Sequence, residues 1–425
     1  MKKKVFASLI CLVLVFLSVF AFGCADKRLG KTCVADKSLY GKSYIDYATE
    51  VKFDTQAHPE LATQGLFWVN YNAEANNVEY YKADTAEGAK IIDKNKPTII
   101  IAHGILLSGG HSNYDEFYVN SKIASASEYG LSGNSLSVFE LYQKQGYNVG
   151  EINYNMFADE TNTLNAPNFI ECKIWGTNGG AGTHYRKKDG TISVKDVSPY
   201  SLTEHFIADY IRAVKLIDGF GEKEVSIAGH SMGGQVVTAF TFFATEMADV
   251  GQLPRSAVPN RLILLDPYFS SPDLPSMCNP DLIVRWSNKK ILNGSTGYAM
   301  VECLKEVTTF GIAVEYYTEY RSALVASSTS IQPEIKKYCV YTTLDISYTQ
   351  NGFSPSTEGH NAVREWYFVS KLFDEPKCGD ATCVSAKSTT ERIRQQIGCE
   401  YKQTVVGSDT LICTDDNFTK IIKNN

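Results

Sequence analysis

Three stretches of this 425-residue chain limit its fold more than any others: "KPTIIIAHG" (96–104), "EVSIAGHS" (224–231) and "NRLILLDP" (260–267). Each is a short continuous apolar run that stops at small or polar residues. A strand covered on both faces reads this way, and such strands belong to parallel sheets. Helical signals lie between the runs. "SLTEHFIADYIRAVKLIDGFG" opens on a capping box, Ser201-x-x-Glu204, and its Phe206, Ile207, Tyr210, Ile211, Val214 and Ile217 share one helical face. "MGGQVVTAFTFFATEMA" is a largely apolar helix directly after the second run. "NSLSVFELYQKQG" (134–146) pairs Ser137 with Glu140 and closes on glycine, as a short helix does, and "YNVGEINY" (147–154) is a further strand. "GLFWVNY" and "NNVEYYKA" form a leading hairpin around a polar turn near 72–77. The alternation of buried strands with helices predicts an α/β fold with a mostly parallel sheet.

The rest of the chain is less regular. Residues 155–200 are a polar insertion with a hairpin turning at Asp189-Gly190. Residues 268–338 show no clear pattern, with prolines early and tyrosines later. "KKYCVYTTLDIS" reads as a strand and "NAVREWYFVSKLF" (361–373) as a helix. After Pro376 four cysteines fall close together, as in a short disulfide-pinned appendage, with Cys378/Cys383 and Cys399/Cys413 as short-range pairs.

The N-terminus, "MKKKVFASLICLVLVFLSVFAFGCADK", puts three lysines before an apolar run that ends Ala-x-Gly, the pattern of a cleaved secretory signal peptide. A retained membrane anchor is the alternative, as is lipidation at Cys24, for which the bulky Phe22 is a poor match. Of eleven cysteines Cys11 lies in this segment, and an even number remains, as paired thiols in an oxidising compartment require. Sequons at Asn293 and Asn417 fit secretion and glycosylation. A net charge of −6 with no basic stripe argues against nucleic acid as a partner. No His-x-x-x-His or Cys-x-x-Cys spacing points to a metal, and no cofactor is expected. The domain reading is a signal peptide (1–25), an N-terminal extension (26–59), a catalytic domain (60–375) and a Cys-rich appendage (376–425).

Chemistry enters at Ser231, set between Gly229 and Gly233 where an apolar strand turns into a helix. A serine hydroxyl is a weak nucleophile that needs a base, a group to orient the base, and donors for the oxyanion. A tight strand-to-helix turn exposes the hydroxyl beside the N–H groups of a helix N-terminus. In α/β-hydrolases the order along the chain is serine, acid, histidine. Of the seven histidines, at 58, 103, 111, 184, 205, 230 and 360, only His360 follows Ser231, in a polar loop that runs into a helix. The acid lies between them. Asp266 ends the apolar run "RLILLD" at the same sheet edge as Ser231, with Pro267 fixing the turn; Asp345, ending "CVYTTLD", is the alternative. The oxyanion donors would be the N–H groups of Ile105 and Met232, and His103 reads as a hydrogen-bonded structural residue.

"AHG", "GHSMGG", "LLDP" and "GHNAVREWY", in that order, make the chain resemble secreted lipases of the α/β-hydrolase superfamily, the pancreatic-type (neutral) lipases most. The resemblance implies an α/β-hydrolase fold and puts the acid on Asp266 of Leu-Asp-Pro and the base on His360. Met232 stands where the family has leucine in the serine turn. The similarity spans residues 96–373 in patches, and the tail after Pro376 is too short for that family's C-terminal lipid-binding β-sandwich. The segment between acid and histidine often bears a lid in such lipases, so 268–305 is read as a lid or a plain connection. The expected function is a secreted serine hydrolase of carboxylic esters, acyl lipids foremost, with transient contact to lipid surfaces. A catalytically silent surface binding protein of the same fold, a phospholipase and a serine peptidase are the alternatives.

Overall fold

One mixed sheet of ten strands organises the molecule. The computed structural model describes residues 46–105, 118–119, 136–158, 170–175, 183–187, 189–193, 197–249, 251–269, 281–284, 289–292, 296–319, 331–346, 355–372, 374–375, 377–378, 381–405 and 417–421. In chain order the strands of the large sheet are β1 (Gly65–Asn72), β2 (Asn77–Lys82), β3 (Thr98–Ala102), β4 (Asn148–Asn153) and β5 (Val225–His230). They continue as β6 (Arg261–Leu265), β7 (Ala313–Glu319), β8 (Val340–Ile346), β9 (Glu400–Val405) and β10 (Asn417–Ile421). Across the sheet the order is β2-β1-β4-β3-β5-β6-β7-β8-β9-β10. From β4 to β9 all neighbours are parallel. β1 runs antiparallel to β2 and β4, and β10 antiparallel to β9. After β3 the chain lays β4 on one side and β5 on the other. That reversal opens a crevice at the carboxyl ends of the strands, where open α/β sheets bind ligands. The central, all-parallel order β4-β3-β5-β6-β7-β8 is that of an α/β-hydrolase fold.

The continuous apolar runs are explained by burial on both faces. β3, β5 and β6 are buried at every position. Successive residues of a strand point to opposite faces, so Leu262 and Leu264 enter one core layer and Ile263 and Leu265 the other. The first layer is closed by α2 (Ile170–Trp175), α3 (Leu202–Lys215), α4 (Gly233–Asp249) and α5 (Thr296–Phe310), through Trp175, Phe206, Phe240 and Leu304 among others. The second is closed by α1 (Val138–Lys144), α6 (Pro355–Val369) and α7 (Thr390–Gln395), through Phe139, Trp366 and Ile393. Each such fully buried side chain stabilises the fold by about 1.5–3 kcal/mol. Local signals act as read: Ser201 and Glu204 complete their capping box at α3, and Ser137 caps α1.

Several readings change. The patternless region 268–338 contains α5 and β7, a central strand. β7 escapes notice because Glu315, Thr318 and Glu319 interrupt its apolar residues, although all of them are buried. α6 begins at Pro355, so His360 lies inside the helix and not in a loop before it. Proline at a first helical position is the start signal that marks it. The stretch after Pro376, read as an appendage, adds β9 and β10 to the main sheet. Cys383 is disulfide-bonded. Cys399 is a free thiol against the second core layer, so it makes no pair with Cys413. Residues 281–284 and 289–292, within the stretch read as a lid or connection, form an antiparallel pair. Among the described residues no helix is long and apolar enough to cross a membrane. The signal-peptide segment, Cys24, Asn293 and Cys413 lie outside the described residues.

Candidate active site

β5 ends at His230 and α4 starts at Gly233, which leaves two residues for the turn. Ser231 makes it with φ +54°, a conformation that side chains rarely adopt. Among the described residues only Asn76, Asp266 and Ser231 are non-glycine with positive φ. Asn76 sits in the β1–β2 turn, where asparagine tolerates it. The other two stand at the carboxyl edge of neighbouring strands, and such strain clusters at functional sites. The glycines are sterically required. A Cβ on Gly229 would lie 2.2 Å from the Gly233 carbonyl oxygen, and one on Gly233 would lie 2.4 Å from that of His103. A Cβ on Gly234 would lie 2.4 Å from Pro267 Cβ. Small residues therefore let the turn sit between β3 and the turn that carries Asp266.

That acidic turn is bonded to the serine turn. Ser231 N–H donates to Leu265 O and Tyr268 N–H donates to Ser231 O, both at 3.0 Å. Gln235, one helical turn after Ser231, donates from Nε2 to Tyr268 O and to Glu171 Oε1 of α2, both at 2.7 Å. The structure brings Asp266 and His360 together: Nδ1 of His360 lies 2.6 Å from Asp266 Oδ2. The second carboxylate oxygen, Oδ1, accepts from the Thr318 hydroxyl at 2.6 Å. Asp345 faces elsewhere, with Oδ2 3.8 Å from Lys402 Nζ. Gly359 is what lets α6 approach β7, since a Cβ there would meet Glu319 Cδ at 2.9 Å. Among the described residues no hydrogen bond joins Ser231 Oγ to His360. In unliganded enzymes such bonds often tighten only when substrate binds.

Ile105 and Met232 stand at the ends of the two strands that flank this crevice. Ile105 follows β3 and is partly exposed, and Met232 is buried at the start of α4. No described residue accepts from either N–H. His103 holds the β3 end in place. Its Nε2 accepts from Tyr154 N–H at 3.2 Å, so Nδ1 carries the hydrogen and donates to Gly104 O at 2.7 Å. Tyr154 stacks on its ring at 4.0 Å. His103 is thus structural, as the sequence suggests. His58 bonds Tyr185, His184 bonds Ser193 and His205 bonds Ser198, all apart from Asp266; His111 is outside the described residues.

Two further residues stand beside the Asp266–His360 pair. Thr318 lies on β7, the strand that periodicity misses. His230, the variable residue of the serine motif, has Nε2 3.2 Å from His360 O and its ring centroid 4.4 Å from that of His360. Tyr316 and Tyr341, stacked 4.8 Å apart, have phenols held far above their ordinary range by burial first and also by the negative charge of Asp266. They stay neutral in the folded protein. Among the described residues no group of three metal-ligating side chains exists.

No family model and no curated protein matches the chain. Solved structures similar to it include a CIB-like hydrolase from Thermoplasma acidophilum, at 15% identity over 57% of this chain and 73% of that one, with a TM-score of 0.25. Esterase B from Lactobacillus rhamnosis is similar at 11% identity over 66% and 75% of the two chains, with a TM-score of 0.28. Est1E from Butyrivibrio proteoclasticus is similar at 14% identity over 64% and 85%, with a TM-score of 0.27.

Proposed function

We propose that the chain is a serine hydrolase of carboxylic esters, with Ser231 as nucleophile, His360 as general base and Asp266 as the acid that orients it. The observation that carries this reading is the 2.6 Å His360–Asp266 contact at the sheet edge where Ser231 makes a strained strand-to-helix turn. With Nδ1–H donated to Asp266, the neutral imidazole keeps its lone pair on Nε2, the atom that must take the serine proton. Thr318 donates its hydroxyl to the other carboxylate oxygen and fixes the direction in which Asp266 faces His360. Ser231 Oγ attacks the ester carbonyl as its proton passes to His360. The imidazolium, stabilised by Asp266, then protonates the leaving alcohol, and water repeats the sequence on the acyl-enzyme. The developing oxyanion is held by the N–H groups of Met232, at the positive end of the 17-residue helix α4, and of Ile105.

The finer reading is a secreted lipase-like enzyme acting on acyl lipids, with the N-terminal segment as its signal peptide. It is supported by the motif resemblance to pancreatic-type lipases. The test compares a soluble short-chain ester with an emulsified long-chain triglyceride, for wild type and Ser231→Ala. Ester cleavage lost in Ser231→Ala is expected, and a higher rate on the emulsion than on the soluble ester would favour a lipase. No cleavage of either by wild type would remove the hydrolase reading. N-terminal sequencing of protein recovered from the medium of expressing cells checks the signal peptide.

A further inference from the structure

Resting on the reading of His360 as the base, we propose that His230 is a positioning residue that fixes the orientation of the His360 imidazole. His230 is the last residue of β5, buried, and precedes Ser231 directly. The serine turn needs small residues at 229 and 233, but nothing in that geometry asks for a histidine at 230. The His360 helix supplies the reason. His230 Nε2 lies 3.2 Å from the main-chain oxygen of His360. A carbonyl oxygen only accepts, so Nε2 carries a hydrogen and donates it. The same ring lies against the His360 ring, with centroids 4.4 Å apart and planes 36° from parallel.

One side chain on the nucleophile's strand therefore grips the base twice, by its main chain and by its ring. The bond to Asp266 fixes the base only at Nδ1. An imidazole held at one edge can still swing about that bond. The neighbouring ring restricts that swing, and the bond to His360 O keeps α6 at a set distance from β5. Placement of a proton acceptor to within a fraction of an ångström is what converts a histidine near a serine into its base.

The test uses the full chain, labelled with 15N-histidine. A proton in a short His–Asp hydrogen bond resonates far downfield, and its loss in Asp266→Asn assigns the signal to His360 Nδ1–H. His230→Phe keeps a ring and removes the donor; His230→Gln removes the ring and keeps an N–H of similar reach. His230→Phe is expected to shift or broaden the downfield signal. It should also lower kcat about tenfold, the size of one lost hydrogen bond, with KM nearly unchanged. His230→Gln, which keeps the donor without the ring, is expected to recover the signal and kcat only in part. An unaltered signal in His230→Phe would remove the donor role, and one unaltered in His230→Ala as well, which lacks both donor and ring, would overturn the proposal. If His230→Phe does not fold, a signal displaced in His230→Gln as far as in His230→Ala would overturn the donor role. The signal is read without turnover, so the two ideas separate. A signal that responds to His230 in a protein that cleaves no ester removes the hydrolase reading alone. An unresponsive signal in an active, Ser231-dependent enzyme removes the positioning role alone.

Discussion

Asp266 has its backbone and carboxylate committed in separate directions. Its N–H donates to Tyr317 O at 2.7 Å, which ends the β6–β7 ladder. Its φ of +41° then turns the side chain out of the sheet, and its two oxygens meet His360 and Thr318. An amide in its place would offer a donor to Nδ1 and favour the wrong tautomer of the base. Asp266→Asn should therefore lower kcat about ten-thousandfold. Asp345→Asn, beside Lys402, should leave it within about twofold. Steady-state kinetics on one soluble ester checks both. Thr318→Val deletes a single bond to a charged oxygen and should lower kcat about tenfold, with KM nearly unchanged. The candidate serine and acid were legible because each follows or ends an apolar run, and the candidate base because His360 alone among the histidines follows Ser231. Thr318 was not, because its strand was not.

Elements differ in legibility for a physical reason. β3, β5 and β6 bury plain aliphatic residues, and periodicity finds them. β7 carries Glu315, whose burial only its partners make tolerable. Arg261 of β6 donates from Nε to Glu315 Oε1 at 2.6 Å and from Nη1 to Ser388 O at 2.7 Å. Tyr317 OH donates to Glu315 Oε2 at 2.7 Å. A pattern search reads such a strand as polar, although the folded protein holds it as core. Removing one partner should show the cost. Arg261→Ala leaves Glu315 as an uncompensated buried charge and should lower stability by about 3–5 kcal/mol. Arg261→Met combined with Glu315→Leu should recover most of that loss, as read by urea unfolding. The serine turn admits a similar test. Gly233→Ala would set a methyl 2.4 Å from the His103 carbonyl oxygen. It should destabilise by about 1–3 kcal/mol or more and displace the oxyanion donors, so kcat falls in whatever folded protein remains.

At the scale of the molecule, segments far apart in sequence close on the sheet. His205 of α3 shows this on one side: its ring stacks on Phe53 at 3.7 Å and its Nε2 lies 2.7 Å from Ser198 Oγ. Burial, aided by the charges of Arg212 and Lys82, brings its pKa down to about 3 from the ordinary 6.5. The folded protein keeps His205 neutral where the unfolded chain would protonate it. That contribution to stability is fully present above about pH 6.5 and is lost as pH falls toward 3, at about 1.4 kcal/mol per pH unit. Thermal melts from pH 7 to pH 4 should show this slope, and His205→Phe should reduce it. On the other side β9 and β10 extend the sheet with the C-terminal stretch, a pairing between strands that no local pattern announces. The proposed function requires these segments to support a reactive serine at position 231. The most direct measurement is fluorophosphonate labelling of the intact protein, followed by mass spectrometry of its peptides. The expected result is one adduct, on Ser231, absent in Ser231→Ala and strongly slowed in His360→Ala. Wild-type protein that stays unlabelled at Ser231 while cooperatively folded would contradict it.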